Sequence, residues 1–342
     1  MSSSTSSSDG APKRYNWEKY QRFFSRVMLP FLLTTGILFY MIDRVMRDRV
    51  IFRTPILGAA KIHRSIHRRS PEIPILGSSR ALGSYIPDSL SLRSYNYGIN
   101  GTGYEVVDMF LALECNRKRA LTPIVINFDY EMFSNSLGDL NNYIPNIRHP
   151  GVRDLLKRHG KYHWWYEIFG VRFFNSYDLF IKDYINYRVQ LTKAVTLGAS
   201  LEKNKLSPEA FKKLVEKRLN TPTKWNPRRG QIERLKTHIY SRPDRIFVIA
   251  VAPYHWSYYE SFEGKPQADS VLAVLDNIPN AMVVRDEREY PDSLFVNTSH
   301  LNFYGAVRYT KMLRQVMFGD QEGDWPVPAV WPPGYGPYGK SQ

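Results

Sequence analysis

The chain has 342 residues, of which 43% are hydrophobic, enough for one large α/β domain with an insertion or for two small domains. Lys and Arg outnumber Asp and Glu by 47 to 32, and this net charge of +15 favours anionic surroundings such as phospholipid heads, an anionic cell-wall polymer or nucleic acid. The single cysteine, Cys115, excludes an internal disulfide, and its place on a predicted helix is typical of a core residue.

The first 42 residues predict a membrane anchor. Residues 1–26 are basic, and their Ser-rich start, residues 1–12, is expected to be disordered. Residues 27–42 carry no charge and predict a transmembrane helix, the alternative being a buried helix of a soluble protein. No small-x-small cleavage site follows, which favours an uncleaved signal anchor. Basic residues flank the span equally, but a single anchor before a long domain most often leaves the N-terminus inside and the domain outside.

Residues 43–70 predict a juxtamembrane basic helix, which we expect to contact anionic lipid heads. His63 and His67 lie four residues apart within it. Because no nearby carboxylate or thiol completes a ligand set, we predict no metal site.

The segment from Glu72 to Gly83 predicts a strand, a tight turn and a helix. The apolar run Ile73–Leu76 is typical of a buried strand, and Gly77-Ser78-Ser79 forms the turn. A hydroxyl at such a turn projects above the sheet edge, where free backbone N–H groups can stabilise negative charge. Ser79 is therefore the first candidate nucleophile, the alternative being an ordinary turn in which Ser79 caps the helix.

The predicted alternation of strands and helices continues to residue 134. The predicted elements are a strand at Ser94–Tyr97, a glycine-rich turn at Gly98–Gly103, a helix at Tyr104–Arg119 and a strand at Pro123–Phe128 that ends in Asp129. The glycine-rich turn is not a nucleotide loop, because it lacks both the P-loop Lys and the G-x-G-x-x-G spacing. The repetition predicts a parallel sheet with helices on both faces, whose ligands bind at the carboxyl ends of the strands.

Residues 135–243 predict a helical, aromatic and basic insertion. Lys161–Phe174 is rich in aromatic residues, Ser176–Leu201 predicts one long helix, and Ser207 is a good cap for a helix that begins at Pro208. The insertion is either a platform for a sugar polymer or a hydrophobic cap over the sheet. Nucleic-acid binding is less favoured, because basic and aromatic residues occur together without a recognisable motif.

Residues 244–320 complete the α/β domain, and the Pro- and Gly-rich tail, 321–342, is expected to be loosely packed or disordered. The predicted elements are strands at Asp244–Val251 and Ala281–Val284, a helix at Gln267–Leu275 and a last helix to Phe318. His300 opens that last helix, at the sheet edge that carries Ser79, where it can take the serine proton. Asn297 is placed to orient the imidazole, and Asp292 is the nearest upstream carboxylate. The alternative for His300 is a helix-capping or core histidine.

From about residue 72 to 318, interrupted by the insertion, the chain resembles the SGNH/GDSL hydrolase superfamily. Gly77-Ser78-Ser79 looks like the nucleophile block, and Gly101 in the run N-Y-G-I-N-G looks like the oxyanion glycine. The residues Asn297 to Gly305 look like the last block, D-x-x-H-L-N-x-x-G, with Asn in place of Asp. Asn127-Phe128-Asp129 stands where the family has G-x-N-D, but the glycine is gone.

The resemblance implies a flavodoxin-like parallel α/β sheet with helices on both faces, formed by residues 71–134 and 244–320. It implies that Ser79 is the nucleophile, that His300 acts as general base and then acid, and that Asn297 stands in the place of the acid. Further residues are implied for the oxyanion or the substrate: Gly101, Asn127, Asn100 and Asp129.

The N-terminal anchor with a Gly-Ser-Ser start is similar to a membrane-tethered, DltD-like subgroup that acts beside membrane-bound O-acyltransferases. This implies an O-acetyltransferase or esterase without a cofactor, acting on a cell-surface or exported polysaccharide or a teichoic-type polymer. The alternative is a catalytically weak or inactive member of the same fold that binds polymer as a scaffold subunit of an export or modification complex. Loss of the third-block glycine and of the last-block Asp favours this alternative.

Overall fold

The computed structural model describes residues 17–118, 120–133, 136–168, 181, 184–185, 193–202, 206–225 and 227–319. The Ser-rich start at residues 1–12 and the tail at 321–342 lie outside the described residues, as does most of the predicted helix Ser176–Leu201. The aromatic stretch Lys161–Phe174 is described up to Ile168.

The N-terminal region is one long apolar helix. This helix, α1, runs from Trp17 to Arg53 with π-helical turns at Phe24–Met28 and Met46–Val50. Its 37 residues correspond to a length of about 55 Å, and none of its most apolar 18-residue window is buried in the protein. α1 is therefore long and apolar enough to cross a membrane once, and it extends beyond the predicted span, 27–42, at both ends.

A second helix, α2 (Gly58–His67), packs against the domain rather than only against lipid. The Arg68 side chain is 3% exposed and pairs with Glu72 at 2.5 Å and with Glu114 at 2.6 Å. Arg64, which is half-exposed, also pairs with Glu72, at 2.7 Å. The expected contact with lipid heads is therefore wrong for Arg68, because buried carboxylates neutralise its charge. The chain between α1 and α2 also divides the predicted single helix 43–70 into two.

The remaining elements alternate strands and helices. Before the insertion they are β1 (Ile73–Leu76), α3 (Ser79–Ser84), α4 (Pro87–Leu90), β2 (Ser94–Asn96), α5 (Tyr104–Cys115) and β3 (Ile124–Asn127). The insertion contains α6 (Pro150–Arg158), β4 (Lys193–Thr196), β5 (Ala199–Glu202), α7 (Pro208–Leu219) and α8 (Arg229–Tyr240). The last part contains β6 (Phe247–Val251), α9 (Trp256–Glu260), α10 (Lys265–Asp276), β7 (Ala281–Arg285), β8 (Phe295–Asn297), β9 (His300–Leu301) and α11 (Phe303–Phe318).

Five of the strands form a parallel sheet in the order β2-β1-β3-β6-β7. If these strands are numbered along the chain, the order is 2-1-3-4-5, which is that of flavodoxin-like doubly wound sheets. The order reverses between β1 and β3, and ligands of such sheets bind outside the carboxyl ends at that point. The predicted parallel α/β sheet is confirmed, and Ser79 follows one of the two strands at the reversal.

The alternating side chains of the strands build two cores, one on each face of the sheet. Leu76 and Ile126 join a cluster formed with α5, α8 and α10. Ile75 and Val125 join the opposite cluster, formed with α3, α4, α7 and α11. Since successive strand residues point to opposite faces, both faces of the sheet are covered by helices.

Within the described part of the insertion, one element differs from its prediction. Residues 193–202 form the β4–β5 hairpin and not the end of a helix. Leu197 and Gly198 turn with φ values of 36° and 89°, and the Leu197 carbonyl accepts a hydrogen bond from Asn96 N at 2.9 Å. The hairpin thus docks on the edge strand β2, and this long-range pairing overrides the helical tendency of the segment. The predicted start of α7 is confirmed, because Ser207 Oγ accepts from Ala210 N at 3.2 Å.

Candidate active site

Ser79 lies at a turn that only glycine allows. Gly77 has a φ of +154°, and a Cβ there would lie 2.7 Å from the Cβ of Ala81. The side chain of Ser78 caps α3, because its Oγ accepts from Arg80 N at 3.4 Å. The alternative that Ser79 is the cap is therefore wrong, and the Ser79 hydroxyl is left for another partner.

That partner is His300, whose Nε2 lies 3.0 Å from Ser79 Oγ. This distance lies within the range in which a general base can take a proton from a nucleophile. The two residues are 221 positions apart in the chain, and the sheet edge brings them together as the sequence pattern predicted.

His300 is held by a hairpin and not by a helix. His300–Leu301 forms β9, which pairs antiparallel with β8, and α11 begins only at Phe303, so the prediction that His300 opens the helix is wrong. Asn302 caps α11 through its Oδ1, which accepts from Tyr304 N and Gly305 N at 3.0 and 3.1 Å. A Cβ at Gly305 would meet the Leu294 carbonyl at 2.3 Å. The Asn and Gly of the H-L-N-x-x-G run therefore fix the loop that carries the histidine, through the helix cap and the close backbone approach.

Asn297 sets the orientation of the imidazole. Its Oδ1 lies 3.1 Å from His300 Nδ1 and accepts from the backbone N–H groups of Ser299 and His300, both at 2.9 Å. These two donors fix which atom of the amide is the oxygen, so Nδ1 carries the proton and Nε2 presents its lone pair to Ser79. Ser299 Oγ adds a further contact to Nδ1, at 2.9 Å. Asn297 thus orients His300 without bringing it a negative charge.

The environment keeps His300 neutral. Burial of the imidazole, followed by the positive charge of Arg80, lowers the pKa of His300 to about 4, while the carboxylate of Asp129 acts in the opposite direction. Near neutral pH the imidazole is therefore an unprotonated acceptor. Burial and the charge of Arg80 also raise the free energy of the imidazolium that forms during proton transfer.

Arg80 is a site residue to which the sequence assigned no role. It is 3% exposed, its Nη2 donates to the carbonyls of Ala252 and Pro253 at 2.5 and 3.0 Å, and its guanidinium lies 3.1 Å from the ring centroid of Tyr254. Its Nε and Nη1 atoms have no hydrogen-bond partner in the described part of the chain. The sequence signal was its place directly after Ser79, but its partners lie more than 170 residues away.

Asn127 is buried at the end of β3, next to Gly77. Its Oδ1 accepts from the hydroxyl of Tyr85 at 2.8 Å, and its Nδ2 has no partner among the residues that the structure describes. A Cβ added to Gly77 would lie 3.6 Å from that Nδ2 atom. The amide therefore holds a buried donor without a partner beside the Ser79 turn, and its predicted oxyanion role stays a prediction.

Gly101 and Asn100 lie on an exposed turn beyond β2. Gly101 has a φ of +71°, and its carbonyl accepts from Ser136 Oγ at 2.5 Å. Over the described residues, no hydrogen bond joins either residue to Ser79 or His300. Their predicted oxyanion and substrate roles stay predictions.

Asp129 anchors the nucleophile turn. Its Oδ2 accepts from Ser78 Oγ at 2.6 Å, and its Oδ1 accepts from the Tyr254 hydroxyl at 3.0 Å and from Glu131 N at 2.9 Å. The structure therefore gives this carboxylate a positioning contact next to Ser79. Its predicted role in substrate binding stays a prediction.

No protein-family model matches the chain, and no curated protein matches it either. The resemblance to SGNH/GDSL hydrolases therefore rests on the residues of the blocks themselves. Among the residues that the structure describes, no group of three or more His, Cys, Asp or Glu side chains is arranged to hold a metal ion.

Proposed function

We propose that the protein is a membrane-anchored, SGNH-like acyl-ester enzyme that uses Ser79 and His300. The observation that carries the proposal is the 3.0 Å contact between His300 Nε2 and Ser79 Oγ, with the opposite ring nitrogen held by Asn297. A nucleophile, a base and a group that orients the base are the parts that covalent acyl transfer needs.

The chemistry follows from these positions. His300 takes the hydroxyl proton as Ser79 Oγ bonds to the acyl carbon, and the carbonyl oxygen becomes an oxyanion for which Asn127 Nδ2 is the available donor. When the intermediate collapses, the ester C–O bond breaks and His300 returns the proton to the leaving alcohol. A polymer hydroxyl or water then attacks the acyl-serine while His300 accepts its proton. The bond between Ser79 Oγ and the acyl carbon breaks, and His300 returns the proton to Ser79, which completes transfer or hydrolysis.

The proposed substrate is a cell-surface or exported polysaccharide or a teichoic-type polymer, with an O-acyltransferase of the membrane as a partner. The net charge of +15 supports an anionic polymer. Trp164 and Trp165 in the insertion are exposed at 66% and 39% and offer rings on which sugars can stack. We place this domain outside the cell, with the N-terminus inside.

A second candidate is a polymer-binding scaffold of the same fold with little or no catalysis. It is favoured by the amide at position 297, because no charge compensates the imidazolium when His300 takes a proton. In a serine protease, replacing the corresponding Asp by Asn costs about 10⁴ in rate, although there the histidine adopts the wrong tautomer. Here Asn297 holds the correct one, which supports a slow enzyme over an inert scaffold.

A fluorophosphonate probe separates the two candidates. The full chain in detergent is treated at pH 7.5, alongside Ser79→Ala, His300→Ala and Ser89→Ala, the last being a matched serine control on α4. We expect labelling of the wild type and of Ser89→Ala, none of Ser79→Ala, and a rate reduced by orders of magnitude in His300→Ala. Equal background labelling in all four folded proteins would favour the scaffold.

A further inference from the structure

Helix α2 starts at the sheet edge that carries the candidate site. Near its beginning, Lys61 Nζ donates to the carbonyl of Gly98 at 2.5 Å, and the Ala59 carbonyl accepts from Asn146 Nδ2 at 2.8 Å. Gly98 adjoins the nucleophile turn, since a Cβ there would lie 2.9 Å from the Ser78 carbonyl. At the other end of α2, Arg68 reaches the opposite edge, where Glu72 precedes β1. α2 therefore runs antiparallel to the strands, with its N-terminus at the site.

The joint between α1 and α2 is short and packed. Ile51 and Leu57 are 0% and 6% exposed, and Phe52 stacks on His63 with their ring centroids 3.7 Å apart. The Tyr95 hydroxyl donates to the carbonyl of Pro55 at 3.4 Å, which ties the joint to β2. These contacts make the anchor enter the domain through a fixed connection rather than a loose tether.

The apolar helix therefore ends close to the candidate site. Four residues separate α1 from α2, so at most about 30 Å of chain and side chain lie between Arg53 and the Gly98 carbonyl. Asp43, the first charged residue after the uncharged run 27–42, is only 2% exposed. Met46, four residues after the apolar run, packs with Phe52 on the buried cluster of Ile51, Leu57, Ala59 and Ala60, so the domain begins near the end of that run and lies against the bilayer.

Exposed aromatic side chains occur on this edge. Trp256 begins α9, just after the carboxyl end of β6, and Tyr304 lies in the first turn of α11; each is 55% exposed. Rings of Trp and Tyr are enriched at membrane–water interfaces, where one end is apolar and the other hydrated. At the far edge, Leu92 precedes β2 and Tyr240 ends α8, with exposures of 71% and 58%.

We propose that the sheet edge carrying Ser79 lies on the membrane surface, so that the site takes a substrate that is itself anchored in the bilayer, such as a lipid-linked glycan. The proposed bilayer-anchored substrate rests on the proposed function, whereas the proposed orientation does not. The anchor then serves to hold Ser79 at the level of the head groups as well as to retain the protein.

Depth measurements on the full chain in liposomes test the orientation. In a Cys115→Ala background, single cysteines replace Tyr304 or Trp256 at the site edge, and Leu92 or Tyr240 at the far edge. Each carries a donor fluorophore, and energy transfer to a rhodamine-headgroup lipid is measured. We expect transfer at Tyr304→Cys and Trp256→Cys to exceed that at Leu92→Cys and Tyr240→Cys by at least twofold. Equal transfer at the two edges, or the reverse order, would overturn the proposal.

Fluorophosphonate labelling of the same liposomes separates the orientation from the function. Strong energy transfer at the site edge without labelling of Ser79 would support the proposed orientation but contradict the proposed enzymatic function. With labelling present, turnover of a long-chain ester embedded in the liposome is compared with that of a soluble acetyl ester. We expect a preference for the embedded ester that disappears in Ser79→Ala. Equal rates for the two esters would overturn the proposal that the substrate is anchored in the bilayer.

Discussion

The carboxylate of Asp292 lies 3.0 Å from Nε2 of His255, so the nearest upstream acid of the sequence serves a different histidine from the one at Ser79. His255 is buried, and its backbone N–H donates to the Thr298 carbonyl at 3.1 Å, next to the β8–β9 hairpin. Among the residues that the structure describes, Asn297 and Ser299 are the hydrogen-bond partners on the Nδ1 side of His300. Asp292 and His255 thus brace the loop that holds His300, and the carboxylate of Asp292 does not contact His300 or Ser79.

Replacing Asn297 by Asp is expected to accelerate the chemistry of Ser79. The new carboxylate keeps the backbone N–H donors that Oδ1 now accepts and adds a negative charge that stabilises the imidazolium. We expect the rate of fluorophosphonate labelling at pH 7.5 to rise by roughly 10- to 100-fold, less than the protease precedent because the tautomer is already correct. Asn297→Leu, which removes the acceptor, should lower the rate. An unchanged rate in Asn297→Asp would contradict the expected stabilisation of the imidazolium by a charge, and an unchanged rate in Asn297→Leu would contradict the orienting role of Asn297.

Local patterns predicted the contact between Ser79 and His300, whereas other features of the site depend on long-range contacts that the patterns do not show. Ser79 and His300 follow from a strand–turn–helix signal and from the H-L-N-x-x-G run, whose physical causes lie within a few residues. The guanidinium of Arg80 is fixed by carbonyls after β6, and the β4–β5 hairpin by an edge strand about 100 residues earlier. No local periodicity encodes either contact, so both needed the folded chain.

The acid limb of the activity is expected near pH 4. His300 must be neutral to accept the serine proton, and its pKa is lowered from 6.5 to about 4. Labelling of Ser79 should therefore stay constant from pH 7.5 to about 5 and fall only as pH approaches 4. The measurement is the initial labelling rate against pH, with circular dichroism at each pH to show that the protein stays folded. A midpoint near 6.5 would mean that the imidazole is solvated during the reaction.

The charge of Arg80 is expected to set the midpoint of the acid limb in the pH profile of Ser79 labelling. Since this charge lowers the pKa of His300, Arg80→Met should raise the midpoint of the acid limb, whereas Arg80→Lys, which keeps a positive charge, should leave it closer to that of the wild type. A purely structural role would lower the rate in both variants without moving the midpoint. The pH profile therefore separates an electrostatic role of Arg80 from a role in packing alone.

Lys61 is expected to support the turn next to Ser79. It is fully buried, its burial lowers its pKa well below the usual value, and it donates to the Gly98 carbonyl. Lys61→Met keeps the apolar stem but removes the donor, which should cost about 1–3 kcal/mol in the free energy of unfolding. Urea denaturation in detergent measures this, with Lys212→Met on the exposed side of α7 as the control. If Lys61→Met is as stable as that control, the bond to Gly98 contributes nothing.

His238 is expected to make the junction between α5 and α8 sensitive to alkaline pH. Burial alone would lower its pKa, but the contacts with the side chains of Asp108, at 2.9 Å, and Cys115 outweigh burial and raise the pKa to about 9. A histidine whose pKa is raised by folding stabilises the folded state fully below its unfolded value, near 6.5, and this contribution is lost as pH rises through about 9. The difference in urea midpoint between the wild type and His238→Gln should therefore be largest at pH 6 and should shrink towards pH 10. Asp108→Asn should weaken the same pH dependence, because it removes the negative charge that favours the protonated imidazole. A difference that is constant from pH 6 to 10 would show that His238 stabilises the junction by packing and not by its charge.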